Sequence, residues 1–376
     1  MLEIYPTKRP YILSRSTFAG SGSVASHWLG DNEATWTHLQ RSIIGMLEMS
    51  MFGIAHTGPD ICGFFNDASP ELCQRWMELG AFYPFSRHHK NIDTSDQDPG
   101  MMGGQVAESS RLYMDTRYLL LPYMYTLFFQ AHTTGTTVAR PMFFEWPEDR
   151  LTWGLDRQFM LGKYFMVAPV LEPGQSGVTA YVPQGIWLSY DFSDSFHDFC
   201  SGGREYYFNA SGPALVQRGA SIVAFQHSGG SLLRPKYHIF STAKSRLEDM
   251  FLQILYDCDG YAVGELYYDD GESADSIETG KYWLFRFESW TNATNLYFEV
   301  KIVHQSTDPD LGKDIRYNLL LITNTPQIKN PVLTCASGSC PRLQNLPYQA
   351  EIKTTTYTFT GDKMPLVEEF IMTAEF

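Results

Sequence analysis

The features that this sequence lacks exclude several common classes of protein. Basic residues are in the minority, with 28 Lys and Arg against 42 Asp and Glu and a formal net charge of −14. A nucleic-acid partner, which clustered basic residues would indicate, is therefore not expected. No CxxC pair and no Cys/His cluster has the spacing of a zinc site, so we expect neither a metal nor a cofactor. The most apolar helical stretch, residues 119–129, is too short to span a bilayer and contains Pro122.

The cysteines that are present carry a different signal. Of the six, Cys62 and Cys73 close one short loop and Cys335 and Cys340 close another. Each of these pairs is a candidate disulfide, and disulfides are typical of an oxidising compartment.

Two N-glycosylation sequons, which begin at Asn209 and Asn292, agree with that compartment. Together they predict a protein of the secretory pathway, either extracellular or anchored at the cell surface. The first nine residues do not combine a charged segment with an apolar one, as a signal peptide does. We therefore expect an upstream part of the same polypeptide to supply the targeting signal.

Residues 1–135 alternate between strand and helix patterns. Short apolar runs at 10–14, 53–58 and 81–85 are separated by stretches of helical periodicity such as residues 36–47. This alternation predicts a parallel sheet covered by helices. About four strand–helix units fit into the segment, which is half of an eight-unit barrel.

Two later helices are predicted in the same segment. Ser69-Pro70 places a capping hydroxyl and a first-turn proline before an apolar stripe that ends at Gly80. The pattern of residues 106–131 predicts one long helix.

The pattern changes near residue 136. Aromatic and β-branched runs such as 178–182 are punctuated by proline and glycine, and residues 296–302 alternate with a period of two. This is typical of antiparallel β-sandwiches. We predict two such modules, residues 136–228 and 229–376, divided near Ser228-Gly-Gly-Ser231.

Asp31 is the first candidate for chemistry. It lies close in sequence to His27 and Trp28, in a predicted loop in which Gly30 directly precedes it. Partly apolar surroundings of this kind raise the pKa of a carboxyl group for acid catalysis. The alternative is that Asp31-Asn32 is an N-cap for a helix beginning near Glu33, with Trp28 and His27 as ordinary core residues.

A glycine pattern precedes Asp31. Residues 20–25 match the GxGxxA arrangement of dinucleotide-binding loops, which requires a helix that opens at the glycines. The segment 27–32 interrupts such a helix, so the nucleotide interpretation is not favoured.

Polar residues lie at four consecutive strand ends of this alternating pattern. They are Arg15, Asp31, Asp60 and His89, and barrel enzymes place their sites at the carboxyl ends of their strands. Each has an ordinary alternative, an Asx-turn for Asp60 and an exposed surface position for His89. Four in succession indicate a functional site.

Several motifs then resemble a known family, glycoside hydrolase family 31, and within it the intestinal maltase-glucoamylase and sucrase-isomaltase group. The motifs lie in order along nearly the whole chain, at residues 14–22, 27–32, 53–64, 81–87, 156–162, 168–172 and 268–273. The resemblance implies a fold: the C-terminal half of a (β/α)8 barrel in residues 1–135, then a proximal β-sandwich and a distal β-sandwich.

The resemblance also implies roles for single residues. Asp31 corresponds to the general acid/base. Arg15, Asp60 and His89 correspond to residues that hydrogen-bond the hydroxyls of the non-reducing glucose. Trp28 and Phe64 match apolar walls of that pocket, and Cys62 and Cys73 match a disulfide of the intestinal group.

The departures from the family pattern matter equally. The family nucleophile lies in a Trp-Ile-Asp-Met-Asn-Glu motif, which this sequence does not contain. His88 and Lys90 flank His89 where asparagines are usual. The expected function is retaining hydrolysis of terminal α-linked glucose from maltose-like oligosaccharides, with the nucleophile supplied by an upstream part of the same catalytic unit. The alternatives are a non-catalytic carbohydrate-binding protein and an inactive fragment.

Overall fold

The structure is a computed structural model. It describes Ile4 and residues 6–190, 195–209, 212–226, 230–231, 234–235, 241–345, 354–360 and 364–376.

The first segment is the predicted half-barrel. Its strands pair in parallel, in the orders β1–β2–β3 and β4–β5. The strands are β1 (Leu13–Ser14), β2 (Ser26–Trp28), β3 (Thr57–Gly58), β4 (Asp60–Ile61) and β5 (Arg87–His88). The helices that cover them are α1 (Trp36–Met51), α2 (Pro70–Gly80), α3 (Gly104–Leu119) and α4 (Leu121–Thr134).

A proline divides the central strand of this segment. Pro59 separates β3 from β4 and has no N–H group to donate to a neighbouring strand. On one side of it β3 pairs with β2, and on the other side β4 pairs with β5. The two short sheets therefore follow one another around the barrel, and Asp60 begins the second of them.

The middle segment is an antiparallel sheet of six strands in the order β11–β10–β13–β8–β7–β6, with the ribbon β9–β12 beside it among the described residues. The strands are β6 (Ala139–Arg140), β7 (Phe159–Leu161), β8 (Phe165–Ala168), β9 (Val178–Val182), β10 (Gly185–Ser189), β11 (Phe196–Phe199), β12 (Arg204–Phe208) and β13 (Ala214–Arg218). Phe159 and Phe165 are fully buried in a core shared with Tyr123 and Leu127 of α4. This shared core joins the half-barrel to the first sandwich.

The last segment forms a large sheet that comprises eleven strands in the described part of the chain. The strands of the segment are β14 (Ala220–Gln226), β15 (Gly230–Ser231), β16 (Arg234–Pro235), β17 (Met250–Leu255), β18 (Tyr261–Tyr268), β19 (Trp283–Thr291), β20 (Asn295–His304), β21 (Arg316–Thr323), β22 (Lys329–Cys335), β23 (Arg342–Asn345), β24 (Thr354–Thr360), β25 (Met364–Pro365) and β26 (Phe370–Glu375), with the short helix α5 (Thr242–Ser245). Within the described ranges, β15 and β16 pair only with each other, and the remaining strands make up the sheet.

Most pairings in this sheet are antiparallel, as expected, but β14 pairs with β18 and β17 pairs with β21 in parallel. The predicted boundary near residue 228 lies outside the described residues. Since β14 already belongs to the large sheet, that sheet begins at Ala220, and the boundary stays a prediction.

A buried charged network attaches the distal sheet to the barrel helices. The Asp269 carboxylate is fully buried and is ion-paired with Arg9 from the start of the chain. It also accepts hydrogen bonds from the hydroxyls of Tyr125 on α4 (2.9 Å) and Tyr267 (2.8 Å). Burial alone would raise the pKa of Asp269, but Arg9 and the two tyrosine hydroxyls outweigh it and hold the pKa below its ordinary value. The motif at residues 268–273 therefore has a structural role, since its Asp269 links the distal sheet to α4 and to the start of the chain.

Three disulfides are present. Cys62–Cys73 and Cys335–Cys340 are the two pairs that the sequence predicts, and the third is Cys200–Cys258. The third pair links residues 58 positions apart and connects the proximal sandwich to the distal sheet. Sequence spacing did not indicate it.

His56 lies in an aromatic setting inside the half-barrel. Its ring meets the rings of Tyr11, Phe85 and Phe128 edge to face, at centroid distances of 5.8, 5.9 and 5.2 Å. Its Nδ1 is hydrogen-bonded to the Ser26 hydroxyl at 2.7 Å. The ring is thus held in a mostly apolar environment that disfavours a charged imidazolium.

We predict that His56 makes the fold sensitive to acid. Burial, with the nearby charge of Arg117, lowers the pKa of His56 to about 4 from its ordinary value of 6.5. Between these values the unfolded chain binds a proton that the folded chain does not. The free energy of unfolding therefore falls as the pH is lowered through this window, with a slope of up to about 1.4 kcal/mol per pH unit.

Denaturant unfolding from pH 7 to pH 4.5 measures this slope. His56→Phe should show a shallower dependence than the parent chain, because carboxyl titrations are common to both and cancel in the difference. Equal slopes in the two proteins would contradict the assignment.

Candidate active site

The loop after β2 places Asp31 beside Arg15. Gly30 has a φ of +81°, and a Cβ at that position would collide with the Arg15 guanidinium. Glycine thus lets the arginine cross the loop, so that Arg15 Nη1 lies 3.7 Å from Asp31 Oδ2. The Asp31 side chain is 31% exposed, which leaves it accessible to a ligand.

The helix-cap alternative for Asp31 and Asn32 is wrong. Helix α1 begins at Trp36, and the hydroxyl of Thr35 caps it by accepting a hydrogen bond from the backbone N–H of His38 at 3.2 Å. Asp31 is therefore not required by the helix terminus.

Asn32 has a different role, which sequence reasoning missed. Its Nδ2 donates to the backbone carbonyl of Asp60 at 2.8 Å, and its Oδ1 accepts from the backbone N–H of Phe64 at 3.1 Å. One amide side chain thus fixes the Asp31 loop against the loop that follows β4. The sequence offered one indication of this role, namely that an amide side chain directly follows the candidate acid Asp31.

Asp60 is fully buried and is paired with Arg87. The Arg87 Nε donates to Asp60 Oδ1 at 3.0 Å and its Nη2 donates to the same oxygen, whereas Oδ2 has no hydrogen-bond partner among the described residues. Burial raises the pKa of Asp60, an effect that Arg87 and His89 oppose and Asp31 increases. The Asx-turn alternative is wrong, since the carboxylate bonds to Arg87 and not to its own turn.

Aromatic rings form the walls of the cluster. The guanidinium of Arg87 lies over the Trp28 ring at 5.3 Å, and the Trp28 Nε1 is buried without a partner in the described part of the chain. The ring of Phe64 stacks on that of His89 with a centroid distance of 5.3 Å and an interplanar angle of 28°. The cluster therefore offers both apolar faces and unpaired hydrogen-bonding atoms.

A second layer of polar residues supports these walls. The side chain of Gln97 is buried, donates to the carbonyl of Gly63 at 3.2 Å, and is hydrogen-bonded to His88 Nε2 at 3.2 Å. Neither residue was singled out as a support by the sequence. His88 also lies near the sulfur atoms of Cys62 and Cys73, but those atoms are joined in a disulfide and are not available as thiolate ligands.

The six predicted site residues lie in three contact groups that are joined to one another. Arg15 contacts Asp31, Arg87 contacts both Asp60 and Trp28, and Phe64 contacts His89. Asn32 ties the Asp31 loop to Asp60 and Phe64, and the charges of Asp31 and His89 act on Asp60. By contrast, the GxGxxA segment forms a single 3₁₀ turn at Ser21–Ser23 and then enters β2. No helix opens at its glycines, so the dinucleotide interpretation is wrong.

Two family profiles match the chain. One, described as "Glycosyl hydrolases family 31 TIM-barrel domain", matches residues 1–127, and the other, "Glycosyl hydrolase family 31 C-terminal domain", matches residues 135–223. This chain belongs to glycoside hydrolase family 31. The first match contains the whole cluster around Asp31, which therefore lies in the family 31 barrel.

Three named relatives are at least 40% identical to this chain in the aligned region. The chain is 44% identical to "Probable maltase-glucoamylase 2" of Homo sapiens over 280 residues, or 74% of this chain and 11% of that protein. It is 41% identical to "Sucrase-isomaltase, intestinal" of Oryctolagus cuniculus over 78% of this chain and 16% of that one. It is 40% identical to "Lysosomal alpha-glucosidase" of Mus musculus over 76% of this chain and 30% of that one.

Solved family 31 structures have the same fold. The glucosidase II alpha subunit, in its alpha3-Glc2-bound form, superimposes with a TM-score of 0.85 at 25% identity, covering 97% of this chain and 39% of that one. A Flavobacterium johnsoniae GH31 dextranase superimposes with a TM-score of 0.84 at 21% identity, which shows the fold alone. The prediction of a half-barrel followed by two β-sandwiches is confirmed. The chain spans less than half the length of each of these five relatives.

Proposed function

We propose that this chain carries the acid/base and part of the sugar pocket of a retaining α-glucosidase. The substrate would be a maltose-like oligosaccharide with a terminal α-linked glucose. The observation that carries the proposal is the buried Asp60 carboxylate, whose Oδ2 has no partner among the described residues and which lies in a cluster walled by Trp28 and Phe64. An unpaired buried carboxylate oxygen is costly, and a ligand hydroxyl that donates to it would offset that cost.

The composition of the cluster fits a neutral sugar. A glucose ring has hydroxyl groups at its edge and apolar C–H groups on its faces, so it requires hydrogen-bonding side chains and aromatic surfaces together. Arg15, Asp60 and His89 would bind the hydroxyls, while Trp28 and Phe64 would pack against the ring. Relatives of this chain with α-glucosidase in their names are consistent with this substrate class.

Asp31 is the residue best suited to protonate the glycosidic oxygen. It is the accessible carboxylate of the cluster, whereas Asp60 is fully buried and engaged by Arg87. In a double displacement, Asp31 would give its proton to the leaving sugar and would then remove a proton from the attacking water. The nucleophile that forms the covalent glycosyl intermediate would come from the upstream part of the same catalytic unit.

The proposed setting is the secretory pathway, outside the cell or at its surface. The disulfides and the two sequons support it, as do relatives named intestinal and lysosomal. In the described part of the chain, no helix has the length and apolar character needed to cross a membrane.

Calorimetric titration with an acarbose-like pseudo-oligosaccharide tests the pocket. Asp60→Asn should weaken binding by about tenfold or more, because a hydrogen bond to a charged group contributes on the order of 1.5–3 kcal/mol. The exposed Asp156→Asn is the matched control and should leave the affinity unchanged. The same comparison is made in a complete catalytic unit, so that instability of the half-barrel does not decide the result.

The outcomes separate the proposal from its rival. A folded chain that does not bind the ligand would overturn the sugar pocket. Binding that is lost in Asp60→Asn, in a complete unit that never releases glucose, would favour the non-catalytic carbohydrate-binding protein.

A further inference from the structure

The hairpin between β19 and β20 carries one of the two sequons at its tip. β19 ends at Thr291 and β20 begins at Asn295, so the sequon residues Asn292 to Thr294 form the connection. The backbone N–H of Asn292 donates to the carbonyl of Asn295 at 2.9 Å, which closes the turn. The carbonyl of Thr294 accepts from the N–H of Phe376 at 3.0 Å. The acceptor asparagine is therefore exposed on a well-fixed turn.

The side chain of Asn292 is oriented by the turn itself. Its Oδ1 accepts hydrogen bonds from the backbone N–H groups of Thr294 (3.0 Å) and Asn295 (2.8 Å), and from the Thr294 hydroxyl (3.4 Å). Its Nδ2 makes no hydrogen bond to a described residue. Because the oxygen is turned back over the loop, the nitrogen that would carry a glycan is directed outward.

A row of aromatic side chains lies on the solvent face of the same hairpin and of the neighbouring strand β18. Trp290 is directly opposite Tyr297 in the β19–β20 register and opposite Tyr261 in the β18–β19 register. The rings of Trp290 and Tyr297 are stacked at 5.4 Å and 13°, and Trp290 is 38% exposed. We call these three residues the aromatic row.

The alternation of the strand places Asn292 on the same face as the aromatic row. Residues two positions apart in an extended chain point to the same side and lie roughly 7 Å apart. The intervening Thr291 is opposite Leu296, which is fully buried in the core. A sugar joined to Asn292 Nδ2 would therefore leave the turn on the side of the sheet that carries Trp290.

We propose that Asn292 carries an N-linked glycan whose first N-acetylglucosamine packs its apolar face on Trp290 and Tyr297. The bond that forms joins Asn292 Nδ2, which loses a proton, to the anomeric carbon of the sugar. The bond that breaks joins that carbon to the pyrophosphate of a lipid-linked sugar donor, and the lipid pyrophosphate leaves with the electron pair. The donor and its transferase belong to the proposed secretory setting.

The glycan of this chain is the occupant that the geometry favours. Its attachment residue lies two positions from Trp290 on the same hairpin, so the first sugar does not lose the translational freedom that a free oligosaccharide would lose on binding. The aromatic faces match the C–H face of a sugar ring. The attached sugar would cover exposed indole and hold the two strands of the hairpin together, so it stabilises the distal sheet.

The test uses the complete catalytic unit, secreted from a eukaryotic host and trimmed enzymatically to one N-acetylglucosamine per site. Mass spectrometry of the tryptic peptide that contains Asn292 measures occupancy. Denaturant unfolding is then compared for the parent, Thr294→Ala, Trp290→Ala and the double variant. Asn209→Gln is included throughout, so that the other sequon does not contribute.

We expect occupancy at Asn292 and a coupled effect on stability. Trp290→Ala should lower the unfolding equilibrium constant more when the sugar is present than in the Thr294→Ala background, by on the order of threefold to tenfold. The N-acetyl methyl resonance should also shift upfield through the ring current of Trp290, and this shift should vanish in Trp290→Ala. The shift is a second measurement that does not depend on unfolding.

Three outcomes would overturn the proposal. The first is an Asn292 that carries no glycan. The second is an equal effect of Trp290→Ala on stability with and without the sugar, together with an unshifted methyl resonance. The third is Trp290-dependent binding of free maltoheptaose by the parent that carries the trimmed sugar. None of these outcomes depends on α-glucosidase activity, so a failure here is distinguishable from a failure of the proposed reaction.

Discussion

Glucose release from maltose is expected to be at least ~1,000-fold slower for this 376-residue chain alone than for a polypeptide that joins it to the rest of a family 31 barrel. A retaining mechanism needs two carboxyl groups about 5 Å apart, one on each side of the anomeric carbon. Asp31 can serve as one of them. The other carboxylate of the cluster is Asp60, whose Oδ1 is held by Arg87 and whose Oδ2, in the proposed function, accepts a sugar hydroxyl and does not attack carbon.

The open barrel adds a second reason for low activity. In the described residues β1 pairs only with β2, and β5 pairs only with β4, so both edges of the half-barrel are unpaired. Unpaired edges favour aggregation and local unfolding. Activity must therefore be measured together with near-ultraviolet circular dichroism, which reports whether the aromatic core is packed. Glucose release by the purified chain that is abolished in Asp31→Asn would contradict the prediction.

The sequence predicted where the site lies because parallel strands end at one edge of a sheet. Arg15, Asp31, Asp60 and His89 were assigned to four consecutive strand ends. In the structure Arg15 meets Asp31, and the charges of Asp31 and His89 act on Asp60. The pairing of Asp60 with Arg87 was not predicted. It depends on the register of β4 against β5, which sets Asp60 opposite Arg87 across 27 residues of sequence, and periodicity does not specify that register.

The strands were predicted less well than the alternation of strand and helix, since about four were expected and the described part of this segment has five. Residues 81–85 are apolar and read as a strand, but the strand is β5, which begins at Arg87. The apolar run is a buried turn whose carbonyls at Ala81, Tyr83 and Pro84 accept hydrogen bonds from the Arg117 guanidinium. A distant arginine thus satisfies the backbone groups that a neighbouring strand would otherwise satisfy.

Two further differences have local or long-range causes. The predicted single helix over 106–131 is two helices, α3 and α4, and Pro122 lies in the first turn of the second. Proline has no N–H to continue the helical hydrogen bonds and is well tolerated at a helix start. The Cys200–Cys258 disulfide escaped prediction because two modules must first pack together before these cysteines meet.

Asp31→Asn in the complete catalytic unit should lower kcat/KM for maltose by about 10² to 10⁴, the range typical of general acid catalysis. The loss should depend on the leaving group. The leaving group of maltose is a poorly acidic sugar hydroxyl, which must receive a proton in the transition state. The fluoride of an α-glucosyl fluoride and the acidic phenol of an aryl α-glucoside leave without that proton. With such activated substrates, kcat/KM should therefore stay within roughly tenfold of the parent value.

The second half of the reaction provides an independent check on the same residue. Without a base to activate water, the covalent intermediate of Asp31→Asn should accumulate, so kcat falls even with activated substrates. Azide attacks without losing a proton, and it should restore kcat and yield α-glucosyl azide. The exposed carboxylate two positions away supplies the matched control, since Glu33→Gln should change neither parameter by more than about twofold. An equal loss for maltose and for the fluoride, with no response to azide, would mean that Asp31 holds the loop against Arg15 and does not transfer protons.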